Sequence, residues 1–353
     1  MNSSNHDIHK LELPYKIKIS IIIPYHQEKR HLSSCLDSIQ TSNYKDFEVI
    51  IIDDASSEKL NIDKTYPFPL QIIHNKRNRG GGYTRNQGVK KAQGELLLFI
   101  DADIIIYKET LSLIKKSFSE NPDLSALIGS YTQHTPYEEK ITNFKNLFHY
   151  YHHQKANSQA ATFWTGCGAI KKEIFLQIGE FSENPRITPI EDIDLGYRLH
   201  KKNFKILLQK NIFVTHLKQY SFLNFIKNEI FFRALPWTYI IFKEKIIKDD
   251  LNTSQSSFFS IIISLFILLS IITLPYIFYP SLLTIFFSFI LLIYINRNFY
   301  ALALNLNGRS FLFYSLFFSW VHFICCSLGF ILGSLLFLTD LISETKNENN
   351  RTR

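Results

Sequence analysis

Two aspartates separated by one small residue are the first candidate for chemistry in this chain. Asp101 and Asp103 flank Ala102 and follow an apolar run at 96–100. Both side chains can project from one tight turn toward a shared ligand, and their hard oxygens suit Mg²⁺ or Mn²⁺. Such ions keep open positions that substrate phosphates can fill. Taken alone, the two aspartates could equally well have a structural role, because acidic residues that cap or solvate the loop after a strand are common.

Two further polar segments precede this pair. Asp53 and Asp54 with Ser56 end an earlier apolar run, and a glycine-rich segment at 78–88 carries Arg85. Glycines allow close backbone approaches that other residues resist, and an arginine can neutralise an anion by a forked contact. No Gly-Lys-Ser/Thr follows, so a Walker-type phosphate loop is not matched. An ordinary loop and helix start is the alternative.

A second acidic cluster lies further along the chain. Glu191, Asp192 and Asp194 precede a helical pattern, and a small-residue stretch with Trp164 and Gly166 comes before them. Carboxylates at a helix start are favoured by the helix dipole, so capping explains at least one of the three. A carboxylate that faces a crevice can instead remove the proton of an attacking hydroxyl, which typically contributes ~10²–10⁴ in rate.

Alternating strands and helices are expected to position these clusters. Apolar runs predict strands and the stretches between them predict helices: strands at 17–23, 47–52 and 96–100, helices at 32–39 and 83–92. The alternation predicts an α/β fold with a doubly wound, mostly parallel sheet. Ligands of such sheets bind outside the carboxyl ends of the strands. Pro24, Tyr25 and the acidic pairs follow those ends, so we expect them to share one crevice.

Composition and charge narrow the class of protein. The chain has 353 residues, of which 46% are hydrophobic, and a formal net charge of +8. A disordered or fibrous protein is therefore excluded. Its basic residues are scattered without a nucleic-acid-binding motif, so we expect no nucleic-acid partner but an anionic membrane surface or a phosphorylated substrate. The four cysteines are irregularly spaced, which favours a reducing, cytosol-facing location.

Two long uncharged stretches predict membrane spans. No Asp, Glu, Lys or Arg occurs between Asp250 and Arg297, or between Arg309 and Asp340. Since one span needs about 20 apolar residues, two to three transmembrane helices are expected, near 258–278, 281–296 and 312–337. A buried pair of core helices is the alternative.

The flanking charges predict the orientation. The first ten residues are polar, so neither a signal peptide nor an amino-terminal anchor is expected. Lys243, Lys245 and Lys248 obey the positive-inside rule, which predicts a multi-pass protein of the cell or inner membrane whose α/β domain faces the cytoplasm. Three spans would place Lys346 and Arg353 on the opposite side, in conflict with that rule.

Aromatic and basic residues, including Arg233 and Trp237, fill the segment before the first span. This composition is typical of an interfacial helix. The predicted organisation is a polar extension at 1–16, an α/β domain at 17–218, an amphipathic interfacial segment at 219–250, transmembrane helices at 251–341 and a polar tail at 342–353.

In their order, these motifs resemble the family 2 glycosyltransferases with the GT-A fold, over residues 17–216. The matching segments are Ile-Ile-Ile-Pro-Tyr-His-Gln-Glu, Ile-Ile-Asp-Asp-Ala-Ser, the segment at 78–88, Gly-Glu before Asp-Ala-Asp, Gly-Cys-Gly and Glu-Asp-Ile-Asp-Leu. Each segment is common, whereas the ordered set is specific. The resemblance implies transfer of a sugar from a nucleotide-diphosphate sugar with inversion, aided by a divalent metal, Mg²⁺ or Mn²⁺.

The resemblance also implies a role for individual residues. Asp192 would be the general base, and His216, although a lone histidine is often structural, would join the metal ligands. The implied metal ligands are Asp103, Asp101 and His216. The implied nucleotide-sugar contacts are Pro24, Tyr25, Glu28, Asp54, Arg85 and Asp101. The implied acceptor contacts are Trp164, Gly166, Glu191, Arg233 and Trp237.

The predicted spans indicate a membrane-associated acceptor, either polyprenyl phosphate or a glycolipid, in cell-envelope glycan synthesis. Processive synthases typically carry Gln-x-x-Arg-Trp, whereas this chain has Phe-Phe-Arg-Ala-Leu-Pro-Trp at 231–237, which favours transfer of one or few sugars. A processive surface-polysaccharide synthase, a non-catalytic sugar-nucleotide-binding membrane protein and a nucleotidyltransferase are the alternatives.

Overall fold

The computed structural model describes residues 18–27, 29–245 and 254–351. Its α/β domain is built on one nine-stranded sheet. The strands are β1 (Ile19–Tyr25), β2 (Phe47–Asp53), β3 (Leu70–His74), β4 (Leu96–Phe99), β5 (Ile104–Ile106), β6 (Leu124–Tyr131), β7 (Gln159–Ala160), β8 (Gly168–Lys171) and β9 (Lys205–His216). The predicted extension at 1–16 lies outside the described residues.

The strand order is β3-β2-β1-β4-β8-β6-β9-β5, and β7 pairs with β9. Strands β1 to β4 run parallel to one another, as do β6 and β9. Strand β8 is antiparallel to β4 and β6, and β5 and β7 are antiparallel to β9. The α/β class with a mixed, mostly parallel sheet is confirmed.

Helices cover both faces of the sheet. Those of the α/β domain are α1 (Lys29–Gln40), α2 (Gly81–Val89), α3 (Thr110–Glu120), α4 (Lys140–Lys155), α5 (Lys172–Ile178) and α6 (Glu191–Lys201). Those that follow are α7 (Phe222–Lys227), α8 (Leu235–Glu244), α9 (Gln255–Thr273), α10 (Phe278–Ile295) and α11 (Arg297–Arg351). A 3₁₀ turn at Thr188–Ile190 precedes α6, and a π-helical segment at Asn228–Ala234 joins α7 to α8.

The apolar strands read as continuous runs because both of their faces are buried. Successive side chains of a strand point to opposite faces. Ile21 of β1 therefore packs into one core with Leu36 of α1, whereas Ile22 packs into the other with Val89 of α2. A Cβ at Gly88 would meet the Ile22 side chain at 2.8 Å, so glycine lets α2 lie close to β1. This close packing holds the glycine-rich segment over the strand ends.

The segment predicted to be interfacial forms α7, the π-helical segment and α8. One side packs on the α/β domain, where the buried Trp237 donates its indole N–H to Tyr197 Oη at 2.9 Å. The other side packs against α11. Phe222, Leu223 and Phe231 remain exposed, which suits contact with a membrane surface.

Three helices, α9, α10 and α11, are long and apolar enough to cross a membrane. Helix α10 begins at Phe278, earlier than the span expected at 281–296, because Pro280 is tolerated in a first helical turn. Helix α11 begins at Arg297, well before the span expected at 312–337, and bends at Gly308, whose φ is +78°. Residues 297–307 form a helical arm that packs on α4. The sequence did not predict this arm, because Arg297 and Arg309 separate it from the uncharged stretches.

Candidate active site

Ten of the predicted site residues line one cavity of about 420 Å³. The cavity lies at the carboxyl ends of β1 and β4 and beside the first turn of α6, and the π-helical segment and α8 form its opposite wall. The ten residues are Pro24, Arg85, Asp101, Asp103, Trp164, Glu191, Asp192, His216, Arg233 and Trp237. Side chains far apart in sequence therefore share one crevice.

Arg85 joins two of the acidic clusters. Its Nη2 donates to Asp101 Oδ1 at 2.6 Å and its Nη1 donates to Glu191 Oε1 at 2.5 Å. A Cβ at Gly81 would come within 2.6 Å of Arg85 Nη1, so glycine leaves room for this contact. The forked contact that the sequence suggested for an anionic ligand is thus made, in this structure, to two carboxylates of the protein.

Asp103 and His216 form a second pair in the cavity. Asp103 Oδ2 lies 3.3 Å from His216 Nε2. The antiparallel pairing of β5 with β9 sets this distance, since Ile104 is directly opposite His216. Burial raises the pKa of Asp103, but His216 and Lys218 hold it below its usual value. Asp103 is therefore an anionic carboxylate near neutral pH.

The Asp103–His216 pair fits a divalent metal. A carboxylate oxygen and an imidazole nitrogen are both suitable donors, and the two side chains keep 18% and 14% of their surface exposed to the cavity. Asp101, predicted as a further ligand, has one oxygen engaged by Arg85. Asp103 and His216 are therefore better candidates for metal ligands than Asp101.

Asp192 lies in the first turn of α6 with its carboxylate in the cavity. The Thr165 N–H and hydroxyl both donate to Asp192 Oδ2 at 3.2 Å, and the Ile193 N–H donates to Oδ1 at 2.8 Å. Burial raises the pKa of this carboxyl, and the Thr165 N–H and the positive charge of Arg85 oppose the shift. A carboxylate that is oriented in this way and has a raised pKa is a competent proton acceptor.

The other two acids of this turn are engaged by arginines. Glu191 is buried against Arg85, and burial raises its pKa while the guanidinium opposes that rise. Asp194 Oδ2 accepts from Arg198 Nε at 2.9 Å, one helical turn later, and does not line the cavity. Among the described residues, Asp192 alone of the three acids has no ion pair. The sequence indicates that at least one of the three acids is structural, and Asp194 has that role.

Asp54, predicted to contact the nucleotide base, does not line the cavity. Its carboxylate accepts from the backbone N–H of Arg79 at 3.1 Å and of Gly80 at 2.8 Å. His26 bridges the same region, because its two ring nitrogens lie 3.1 Å from Asp54 O and 3.3 Å from Asn78 Nδ2. In this structure Asp54 holds the glycine-rich segment in place.

Two other predicted residues also lie away from the cavity surface. Tyr25 is buried in the core, with 2% of its surface exposed. Gly166 lies beneath the indole of Trp164, where any Cβ would overlap the ring, so it acts by letting Trp164 fold over the backbone. Glu28 lies outside the described residues.

The profile described as Glycosyl transferase family 2 matches residues 20–179. Residues 20–179 therefore form a glycosyltransferase family 2 domain. The chain is 29% identical over 188 residues to a Haemophilus influenzae protein named an uncharacterized glycosyltransferase, and the aligned region covers 51% of this chain and 61% of that one. It is 39% identical over 102 residues to a poly(ribitol-phosphate) beta-glucosyltransferase of Bacillus spizizenii, and this aligned region covers 27% of this chain and 16% of that one. The chain thus spans less than two thirds of either relative.

A solved structure extends the likeness beyond the catalytic domain. The mannosyltransferase PcManGT from Pyrobaculum calidifontis, in complex with GDP-Man and Mn²⁺, aligns with a TM-score of 0.55 and 15% identity over 93% of this chain and 88% of its own. This likeness concerns the fold. It confirms a GT-A fold followed by a C-terminal helical region, as predicted.

The candidate active site also has an aromatic and histidine wall that the sequence did not indicate. Tyr131 stacks on His216 with ring centroids 4.8 Å apart and meets Trp164 edge-on at 4.5 Å. His149 and His153 of α4 line the same wall. The i, i+4 spacing of His149 and His153 places both on one helix face, and this pattern could have been recognised in the sequence. Tyr131 ends a strand, and no sequence pattern distinguishes it.

A buried charge network lies where the catalytic domain meets α11. Glu229 pairs with Lys145 Nζ at 2.5 Å through Oε1 and with His322 Nδ1 at 2.7 Å through Oε2. In the described ranges, the donor atoms of Glu229, His322 and Cys326 form the one group of three within 4.8 Å of one another. His322 presents different nitrogens to Glu229 and Cys326, and Lys145 adds a positive charge. We therefore interpret the cluster as a charge network that joins α4, the π-helical segment and α11.

Proposed function

We propose that this chain is an inverting glycosyltransferase that moves a sugar from a nucleotide-diphosphate sugar to a membrane-associated acceptor in cell-envelope glycan synthesis. One observation carries the proposal. Arg85, the Asp103–His216 pair and Asp192 line a cavity that also reaches Arg233, on a segment packed against the apolar C-terminal helices.

The donor side of the cavity carries the groups that suit a diphosphate. Asp103 and His216 would hold Mg²⁺ or Mn²⁺, which when bound stabilises the negative charge that develops on the leaving diphosphate. Arg85 stands beside them and keeps Asp101 oriented. Pro24 and His26 also line the cavity, at the carboxyl end of β1, which pairs with β4, and would adjoin the nucleotide. The Mn²⁺ and GDP-Man in the archaeal mannosyltransferase support this assignment.

Asp192 is proposed as the base on the acceptor side. Its neighbour Glu191 is engaged in an ion pair with Arg85, whereas Thr165 orients Asp192 without neutralising it. A base is most useful for a hydroxyl, because a phosphate monoester is already largely ionised near pH 7. We therefore favour a sugar hydroxyl of a glycolipid over polyprenyl phosphate as the attacking group.

The catalytic domain is proposed to face the cytoplasm. Lys243 and Lys245 lie at the end of α8, shortly before the first apolar helix, where basic residues favour the cytoplasmic side.

Full-length protein in phosphatidylcholine vesicles, supplied with labelled nucleotide sugars, Mn²⁺ and a lipid-linked glycan, should transfer label to the organic phase. Chelation of the metal with EDTA should remove the activity, because the leaving diphosphate then lacks its counter-charge. The product linkage should have the opposite anomeric configuration to the donor. Transfer to water-soluble glycans alone would defeat the membrane acceptor, and long polymers on a gel would indicate a processive enzyme instead.

A further inference from the structure

A second cavity adjoins the active cavity on the side of the apolar helices. It has a volume of about 270 Å³ and lies between α8, α9 and α11. Most of its wall is apolar and includes Ile241, Phe242, Phe258, Ile261 and Phe330. Glu229, Arg233 and Trp237 line both cavities, so the two meet at these residues.

Arg233 stands at this junction beside a histidine. Its Nη1 lies 3.1 Å from His149 Nε2. Burial, Lys145 and Arg233 itself hold the pKa of His149 well below its usual value, so the imidazole adds no charge near pH 7. Glu229 is already paired with Lys145 and His322, and within the described ranges no carboxylate lies within 4.0 Å of Arg233. An anionic group at the junction would complement it.

We propose that this second cavity, the lipid groove, holds the hydrocarbon chain of the acceptor while a phosphate of the same molecule contacts Arg233. The proposal rests on the proposed function and specifies its acceptor class. An apolar groove bounded by membrane helices is suited to hydrocarbon, and the junction offers one cation for one anionic group. A phosphate at Arg233 directs the attached group into the active cavity that contains Asp192. The acceptor is therefore a glycan linked through phosphate to a hydrocarbon chain.

Photo-crosslinking tests the lipid groove without requiring sugar transfer. The probe is farnesyl phosphate with a diazirine at the far end of its chain, added to full-length protein in phosphatidylcholine vesicles. We expect crosslinks in the peptides that contain Phe258, Ile261 and Phe330. Crosslinks confined to the exposed faces of α10 would overturn the proposal.

Two matched variants sharpen this experiment. Ile261→Trp should fill the groove and reduce crosslinking about tenfold or more, which corresponds to ~1.4 kcal/mol. Ile262→Trp places the same ring on the next residue, which is 49% exposed, and should leave crosslinking unchanged. Arg233→Gln should weaken crosslinking of farnesyl phosphate but not of farnesol with the same diazirine.

Equal crosslinking in Ile261→Trp and wild type, or displacement of the probe by an equal amount of phosphatidylglycerol, would contradict the proposal. Crosslinking in the groove together with absence of transfer to every lipid-linked glycan would support the groove and defeat the proposed function.

A second, independent inference concerns the number of membrane spans. Helix α11 contacts the catalytic domain and its interfacial helices near both of its ends. Just after its bend, Phe311 packs in one buried cluster with Phe144 and Phe148 of α4. Asp340 accepts from Arg186 at 2.7 Å and from the Tyr239 hydroxyl at 3.0 Å.

Helix α11 also follows the interfacial helices between those two contacts. Gly329 lies against Ala234, and Gly333 against Thr238, so closely that a Cβ at either glycine would overlap its neighbour. From its bend to Asp340 the helix is about 48 Å long at ~1.5 Å per residue. That length exceeds the ~30 Å hydrocarbon core of a bilayer. If α11 crossed the bilayer, the polar catalytic domain in contact with both ends would have to cross with it.

The geometry points to two spans, α9 and α10, with α11 lying along the membrane surface. Helices α9 and α10 run antiparallel, since Ser260 contacts Asn296 at one end and Thr273 contacts Ser281 at the other. Much of the outward face of α11 is exposed and apolar, which suits contact with lipid. This topology places the end of α11, which includes Lys346 and Arg351, on the side of the catalytic domain, in agreement with the positive-inside rule.

Cysteine labelling in sealed vesicles tests the topology on the full chain. The reagent is a membrane-impermeant maleimide, with the wild-type signal subtracted. Ser343→Cys, near the end of α11, should be labelled from the same side as Glu120→Cys on the catalytic domain. Tyr276→Cys, which is 86% exposed between α9 and α10, should be labelled from the opposite side. Labelling of Ser343→Cys together with Tyr276→Cys would overturn the inference.

Discussion

Replacement of Asp192 by asparagine is expected to lower sugar transfer to a hydroxyl acceptor by about 10²–10⁴, the usual contribution of a positioned general base. Asparagine keeps the size of the side chain and can still accept from Thr165, but it cannot take up the proton. Binding of the nucleotide sugar, measured as thermal stabilisation with Mn²⁺, should remain close to that of wild type.

Asp194→Asn is the matched control for this variant. Asp194 lies in the same helical turn but is paired with Arg198 outside the cavity, so its replacement should leave turnover unchanged. Unchanged turnover in Asp192→Asn would remove the assignment of the base.

The pH profile should report the same group. Burial raises the pKa of Asp192, and only the ionised carboxylate accepts a proton. Wild-type turnover should therefore fall as the pH decreases through this raised pKa, while donor binding persists. The residual turnover of Asp192→Asn should lose that acidic limb.

Replacement of Glu229 by alanine is expected to destabilise the protein by about 3–5 kcal/mol, because it leaves a buried cation without its partner. Lys145 and Glu229 are each only 1% exposed and lie 2.5 Å apart. Burial lowers the pKa of Lys145 to about 8, whereas Lys145 and His322 hold the pKa of Glu229 well below its usual value despite burial. Both partners are therefore charged near pH 7. Thermal unfolding of the full chain in detergent would measure the loss.

Two comparisons separate burial from charge in this experiment. Glu120→Ala breaks the exposed Lys116–Glu120 pair on α3 and should cost less than about 1 kcal/mol. Combining Lys145→Met with Glu229→Met removes both charges and should recover part of the stability lost in the single variant. Equal unfolding temperatures for Glu229→Ala and Glu120→Ala would contradict the view that the network anchors α11.

Local sequence was sufficient for the core of the fold and for much of the site. The apolar strands are continuous because both of their faces are buried, and each ends where a polar cluster begins. Asp101 and Asp103 could be singled out for this reason, since the carboxyl ends of neighbouring strands meet at one edge of the sheet. Asp192 was indicated instead by its place at the start of a helical pattern. The uncharged stretches likewise revealed the apolar helices, because hydrocarbon excludes charge over a known length.

Only the tertiary structure decided which charged side chains of the site pair with one another. Arg85 engages Asp101 and Glu191, and among the described residues this leaves Asp192 as the one acid of the cavity without an ion pair. Tyr131 reaches the cavity because β6 lies beside β9 in the sheet, a pairing of strands about 80 residues apart in sequence. Side-chain charge and hydropathy depend on residue type and can be read locally. Which charge meets which partner, and whether an apolar helix such as α11 faces lipid on all sides or lies against the catalytic domain, depends on contacts between residues distant in sequence.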